Sequence, residues 1–358
     1  MRPVLFRIPI DGVVDLGPFG QVPLFGLGLM FTVWVAFAAL WCWRSRYSDA
    51  GPLQVSDITT FGLLGVLIVM APKIAANWKN PSIPIFGYGL MMCLGFIAAT
   101  ALADRRARRE GFPQETIWDL TLWFLIAGVG GARLFYLIQK HDQVFAGCRD
   151  VRDYFVAAIN LPDGGLVLYG GLIAGAVAFY RFCDRRGLPM WRLADLIVPS
   201  IFLGIAFGRV GCFLYGCCWG DRCDMPWAVQ FPPDSITWKS QVERGFIPDS
   251  EPYTLPVHPT QLYSVLDALL LCWLTSKYYP VRARDGSVLT LALLTYPITR
   301  FLIERLRGDE MGQFGTSLTI AQWISLGMLG LGLILAWLRP PLISREPHER
   351  LAANQSCK

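Results

Sequence analysis

Apolar residues run almost unbroken for the length of a membrane crossing at nine places along this chain, with polar positions gathered between them. The runs cover about 23–43, 57–72, 84–103, 117–138, 166–182, 193–216, 261–279, 287–304 and 318–338. A helix needs about 20 mainly apolar residues to cross roughly 30 Å of hydrocarbon. The pattern therefore predicts an all-α, polytopic membrane protein. Pro72, Lys73, Lys79, Pro81 and Pro84 separate the second run from the third, so these are two crossings. The first run starts too far from Met1, and lacks a small-residue cleavage site, to be a signal peptide, and none of the chain is expected to be removed.

Composition agrees. Of 358 residues, 54% are hydrophobic and 16% charged, with a mean hydropathy of +0.42; soluble domains carry about a quarter charged residues. The net charge of +5 matters less than its placement. Assigning alternate loops to opposite sides puts 17 Lys and Arg on one side, in short turns beside span ends, and 12 on the other. The positive-inside rule makes the first side cytoplasmic. The N-terminus and the long 218–258 loop then face outward and the C-terminus inward. Basic residues confined to such turns also speak against a nucleic-acid surface.

One repeat stands out. Pro23-Leu24-Phe25-Gly26-Leu27-Gly28-Leu29-Met30 recurs as Pro84-Ile85-Phe86-Gly87-Tyr88-Gly89-Leu90-Met91. Both copies lead into an apolar run and an Arg-rich turn. The simplest organisation is an N-terminal arm with a two-span extension (1–83), a seven-span core (84–338) containing the 218–258 loop, and a cytoplasmic tail (339–358). If Tyr88 is functional, the first copy, with Leu27 in its place, is a relic or a clamp.

Ionisable residues inside spans are rare and cost roughly 2.5–3.5 kcal/mol for Arg on insertion scales. Arg133, Arg209 and Arg300 lie in or at the edge of apolar runs, and Arg307 follows Arg300. Tyr296, Arg300, Glu304 and Arg307 fall within an arc of about 80° on one helix face. An i, i+4 pair of Arg300 with Glu304 accounts for one arginine, and leaves Arg307, Arg209 and Arg133 wanting partners or an anionic ligand. Gly128, Gly130, Gly131, Gly171, Gly175, Gly204 and Gly208 form small-residue faces that let membrane helices approach closely.

Cys212, Cys217, Cys218 and Cys223 put four thiols in twelve residues. Their x4, x0, x4 spacing departs from the paired C-x2–4-C of zinc sites. No metal or cofactor is expected, and a disulfide from Cys217 or Cys218 to Cys223 stays open. His258, before Pro259, reads more readily as a helix-start residue than as a catalyst. No Ser/His/Asp arrangement or phosphate-binding loop of soluble enzymes is present.

At these residues the chain resembles a known family. Gly208-Arg209-Val210-Gly211-Cys212-Phe213-Leu214-Tyr215-Gly216-Cys217-Cys218-Trp219-Gly220 is similar to the signature of prolipoprotein diacylglyceryl transferases. So are Tyr169-Gly170-Gly171-Leu172-Ile173-Ala174-Gly175, His258-Pro259-Thr260-Gln261-Leu262-Tyr263, and Arg300-Phe301-Leu302-Ile303-Glu304 with Arg307. Tyr88-Gly89-Leu90-Met91 and Gly131-Ala132-Arg133-Leu134 match further blocks, and Val4–Pro9 resembles the family's N-terminal arm.

The resemblance implies transfer of diacylglyceryl from phosphatidylglycerol to the lipobox cysteine of preprolipoproteins in the bacterial inner membrane, with partners confined to that lipid, signal peptides and the bilayer. It implies catalytic roles for Arg209, Arg300, Tyr169 and Glu304. Lipid binding would fall to Arg209, Arg300, Tyr88, Tyr296, Arg307 and Gly220. Some relatives carry His where this chain has Tyr169, Asn at Cys212 and Glu at Cys217, so the base that takes the thiol proton is left open. A transporter or flippase of an anionic lipid is the alternative; it would be expected to show inverted repeats.

Overall fold

The computed structural model describes residues 4–9, 13–15, 21–25, 27, 29–36, 65–66, 68–73, 82–147, 150–159, 165–309, 312–313 and 315–338. Among the described residues ten α-helices follow residue 86: α1 (Gly87–Arg109), α2 (Thr116–Gln139), α3 (His141–Val144), α4 (Val151–Ile159), α5 (Leu168–Arg186), α6 (Met190–Tyr215), α7 (Ile236–Glu243), α8 (Thr260–Tyr278), α9 (Ser287–Glu304) and α10 (Ile320–Leu338). Helices α1, α2, α5, α6, α8, α9 and α10 overlap the seven runs predicted for the core. Five of these, α1, α2, α6, α9 and α10, are long and apolar enough to cross a membrane by length and composition. The predicted runs 23–43 and 57–72 lie largely outside the described residues.

The chain divides into two units, Arg2–Leu90 and Met91–Lys358. In the first, four short strands add to the helical expectation. β1 (Val4–Pro9) pairs antiparallel with β4 (Ser82–Phe86), and β2 (Val13–Asp15) with β3 (Gln21–Pro23). Pro23 and Pro84, the first residues of the two repeat copies, are both strand residues facing N-terminal partners, Val13 and Arg7. The repeat thus has a structural counterpart, a strand leading into a helix. Tyr88 stands in the first turn of α1 and is 41% exposed.

In the second unit α8 and α9 pack on α6, α10 on α9, and α2 on α5. Their outward positions are apolar: Ile126, Leu172, Leu266 and Leu302 are each more than 60% exposed. That is the reverse of a soluble bundle and suits hydrocarbon as the surrounding medium. The buried apolar core instead gathers at the Arg-rich ends, where Leu120, Phe182, Leu193, Leu196, Leu271 and Val288 meet.

A polar network locks this end. Asp195 of α6, fully buried, accepts the backbone N–H groups of Gly286 (2.8 Å) and Leu289 (2.9 Å). These are among the donors that the start of α9 leaves unsatisfied, so a carboxylate on another helix serves as the cap. Arg282 lies 3.6 Å from Asp195 and 3.5 Å from Glu110, donates to the Tyr279 carbonyl at 2.8 Å, and stacks over the Tyr279 ring. Arg192 donates from Nε to Glu110 at 2.9 Å.

Glycine sets the α2–α5 crossing. A Cβ on Gly131 would lie 2.6 Å from the Gly170 carbonyl oxygen, and one on Gly170 would lie 2.3 Å from that of Gly131. The small-residue expectation holds here and at Gly171, where an added Cβ would lie 2.9 Å from the Gly128 carbonyl oxygen. At Gly130 an added Cβ meets nothing within 4 Å, and at Gly175, Gly204 and Gly208 it would make only ordinary contacts. On α9, Pro297 cannot donate to the carbonyl of Leu293. Gly332 of α10 comes against that carbonyl, 3.0 Å from where its Cβ would be.

Candidate active site

The end of α9 carries a cluster of buried charge. Glu304, 2% exposed, closes the helix and pairs with Arg300 one turn back. Its carboxylate also accepts from Arg307 at 3.3 Å and from the Thr319 hydroxyl at 3.1 Å. Arg307 forms a two-pronged pair with Asp309, Nε to Oδ1 at 2.8 Å and Nη2 to Oδ2 at 2.9 Å. Burial opposes the Arg307 charge, but Asp309 and then Glu304 outweigh it, so its pKa rises above the usual arginine value. Such fork-to-carboxylate geometry fixes the guanidinium plane.

The expectation that Arg307 and Arg133 lack partners is corrected. Arg307 is satisfied by Glu304 and Asp309. Arg133 donates to the carbonyls of Ala158 (2.9 Å), Ala157 (2.8 Å) and Gly165 (3.1 Å), and lies over the Tyr136 ring. It ties the end of α4 and the approach to α5 against α2. Sequence spacing could not show this, because carbonyl acceptors leave no mark in side-chain identity. Arg209 differs. It is half-buried in the last turns of α6 and makes no hydrogen bond or ion pair among the described residues. It stands three residues before Cys212 on the same helix.

The segment 216–258 covers this region with a core of its own, Trp219, Phe231 and Val257. Gly216, in the left-handed conformation at φ 79°, ends α6, and the buried Thr237 hydroxyl donates to its carbonyl at 2.7 Å. Three stretches then meet backbone to backbone. Gly220 donates to the His258 carbonyl (3.0 Å), Asp221 to that of Leu306 (2.7 Å), and His258 to that of Asp221 (3.0 Å). Thr260 and Gln261, opening α8, donate side-chain hydrogen bonds to the carbonyls of Cys218 (2.7 Å) and Cys217 (2.8 Å). The signature segment, the His258–Tyr263 segment and the end of α9 are thereby one construction. Arg244 of the loop donates to the carbonyls of Gly308 and Asp309.

The remaining predicted residues fall as follows. Tyr296 lies one turn before Arg300 with its ring 5.7 Å from that of Phe202. Tyr169 stands half-buried in the first turn of α5, the helix paired with α2. The His258 imidazole Nδ1 lies 3.2 Å from the Tyr263 hydroxyl, which accepts from Trp227 at 2.7 Å. Cys223 is a buried free thiol, and Cys217 and Cys218 are also free.

Buried guanidiniums and a carboxylate at helix ends, surrounded by helices with apolar exteriors, define a polytopic helical membrane protein. The family profile described as prolipoprotein diacylglyceryl transferase matches residues 74–338, and the chain belongs to that family. The chain is similar to the phosphatidylglycerol–prolipoprotein diacylglyceryl transferase of Rhodopirellula baltica, 28% identical over 95% of this chain and 89% of that one. Those of Clostridium tetani (31% identical, 70% and 92% covered) and Bordetella bronchiseptica (32% identical, 72% and 92% covered) align over the core. None of these findings supports the transporter alternative.

Proposed function

We propose that the chain transfers the diacylglyceryl group of phosphatidylglycerol to the lipobox cysteine thiol of a preprolipoprotein. The glyceryl C–O bond to phosphate breaks, a thioether S–C bond forms, the thiol proton is lost, and glycerol phosphate leaves with the electron pair of the broken bond. The observation that carries the reading is Arg209, a half-buried guanidinium in the signature segment that pairs with no carboxylate among the described residues. Such a group is free to take phosphate oxygens, and bidentate forks suit them.

Arg209 and Arg300 bind the phosphate and stabilise the charge that grows on it as the C–O bond breaks. Glu304 holds Arg300, and Arg307 braces Glu304. Gly220 keeps the covering segment close, and Tyr296 and Tyr88 contribute to the lipid path. Tyr169 offers a hydroxyl to the acceptor. With an ordinary pKa near 10 a phenol stays protonated at neutral pH, so it is not available to take the proton of a thiol. Residues 84–338 are the catalytic core and 1–83 an added extension. The protein sits in the inner membrane with 218–258 outside and the tail in the cytoplasm. The acceptor's signal peptide and the lipid reach the site sideways from the bilayer.

Reconstituted protein, phosphatidylglycerol vesicles and a lipobox peptide are expected to yield a peptide heavier by one diacylglyceryl group in mass spectrometry. An unmodified peptide, with protein whose fold is verified, overturns the proposal.

A further inference from the structure

The sequence spacing argued against a metal site, yet the fold brings three thiols to one point. The Sγ atoms of Cys212, Cys217 and Cys218 all lie within 4.8 Å of one another, each half-buried and free. Two left-handed residues, Gly216 at φ 79° and Cys218 at φ 61°, turn the chain back over the last turn of α6. A zinc ion with Zn–S bonds of about 2.3 Å holds its sulfurs roughly 3.8 Å apart in a tetrahedron. Closing the trio onto such an ion takes shifts of about 1 Å or less. We propose that Cys212, Cys217 and Cys218 form a three-thiolate site for one thiophilic cation of the Zn2+ type.

Two further observations point the same way. Three thiols binding a divalent cation release three protons and leave a net charge of −1. Arg209, three residues before Cys212 on α6 and without an ion pair among the described residues, supplies a cation at the same helix end. Second, Gln261 is 1% exposed and donates from Nε2 to the Cys217 carbonyl at 2.8 Å, while its Oε1 has no hydrogen-bond donor among the described residues. The amide is held against the thiol segment, and its unpaired oxygen suits a cation or a water bound to one.

Three thiolates leave one tetrahedral position open, as catalytic zinc sites do. Resting on the transferase reading above, that position suits the acceptor's thiol. Coordination releases its proton to solvent and presents the sulfur as a thiolate beside Arg209. The sulfur then forms the S–C bond as the C–O bond breaks toward phosphate, and the thioether departs. This supplies the deprotonation for which the Tyr169 phenol is poorly suited.

Full-length protein, purified in detergent under reducing, metal-free conditions, is loaded with Zn2+ or Co2+, desalted and analysed for metal content and absorption. About one ion per chain is expected, with the thiolate-to-cobalt charge-transfer band of a sulfur-rich site. Cys217→Ser and Cys218→Ser are expected to weaken binding at least about tenfold, while Cys223→Ser keeps it. A wild-type protein that shows no thiolate–cobalt band overturns the site, whatever the variants do. A lipobox peptide, and not its Cys→Ser form, should shift the spectrum of the cobalt-loaded protein; an unchanged spectrum overturns the acceptor role. Equal product from chelated and zinc-loaded protein sinks the metal's part and leaves the transferase reading standing. No product from zinc-loaded protein sinks the transferase reading and leaves the site.

Discussion

Gly220 stands so close to His258 that an added Cβ would fall 2.6 Å from both the Cβ and the carbonyl oxygen of His258. On its other side the same Cβ would meet the Leu306 carbonyl at 2.8 Å. Two of these neighbours are backbone atoms engaged in hydrogen bonds, so neither has room to give. Gly220→Ala is expected to separate the signature segment from α9. The cost is about 1–3 kcal/mol of overpacking, read as a lower Tm in detergent, together with loss of transfer.

Arg209→Ala should behave in the opposite sense. No partner among the described residues is lost, so the melting temperature is expected to stay within about 2 °C of wild type. Transfer should fall at least about 100-fold, the scale for removing a donor aimed at developing charge. Arg209→Lys should restore little, because an ammonium lacks the planar fork. Unaltered turnover by Arg209→Ala would remove the phosphate role.

Glu304 is shared by Arg300, Arg307 and Thr319. Replacing it with Gln leaves buried guanidiniums facing a neutral amide, and breaking such a pair costs about 3–5 kcal/mol. Glu304→Gln is therefore expected to lose both stability and activity, measured by thermal melting and peptide modification. A variant as stable as wild type would show that the arginines find other support.

Acid should loosen the opposite end of the molecule. Burial pushes the Glu110 carboxyl up, but the Arg192 hydrogen bond and the charges of Arg192 and Arg282 hold it below its ordinary value of 4.5. A depressed carboxyl contributes stability that is fully present above the unfolded value and is lost as pH falls through the lower native one. Melting temperatures taken between about pH 6 and pH 3 are expected to drop more for wild type than for Glu110→Gln. Parallel curves would assign the acid loss to other groups.

Much of the helical frame was legible because span length is a strong constraint: the run expected at 287–304 is α9 residue for residue. The Arg300–Glu304 pair was legible too, because an i, i+4 spacing is local. What escaped is what the chain assembles across distance. Asp195 caps a helix that begins more than ninety residues later, and Arg133 finds backbone carbonyls. The thiol trio escaped because spacing rules for metal ligands assume loops, whereas here a helix end and two left-handed residues do the converging. Gly220 was singled out as a lipid contact, and its immediate surroundings are packed backbone.

The Asp195 cap has a consequence for depth. α6 leaves Asp195 and reaches Arg209 fourteen residues on; α9 leaves Gly286 at that same carboxylate and reaches Arg300 after another fourteen. At 1.5 Å per residue each guanidinium is borne about 21 Å along its helix from one shared anchor. A single hydrogen-bonded carboxylate thus acts as a levelling pin, giving two arginines on separate helices the same length of helix from one anchor.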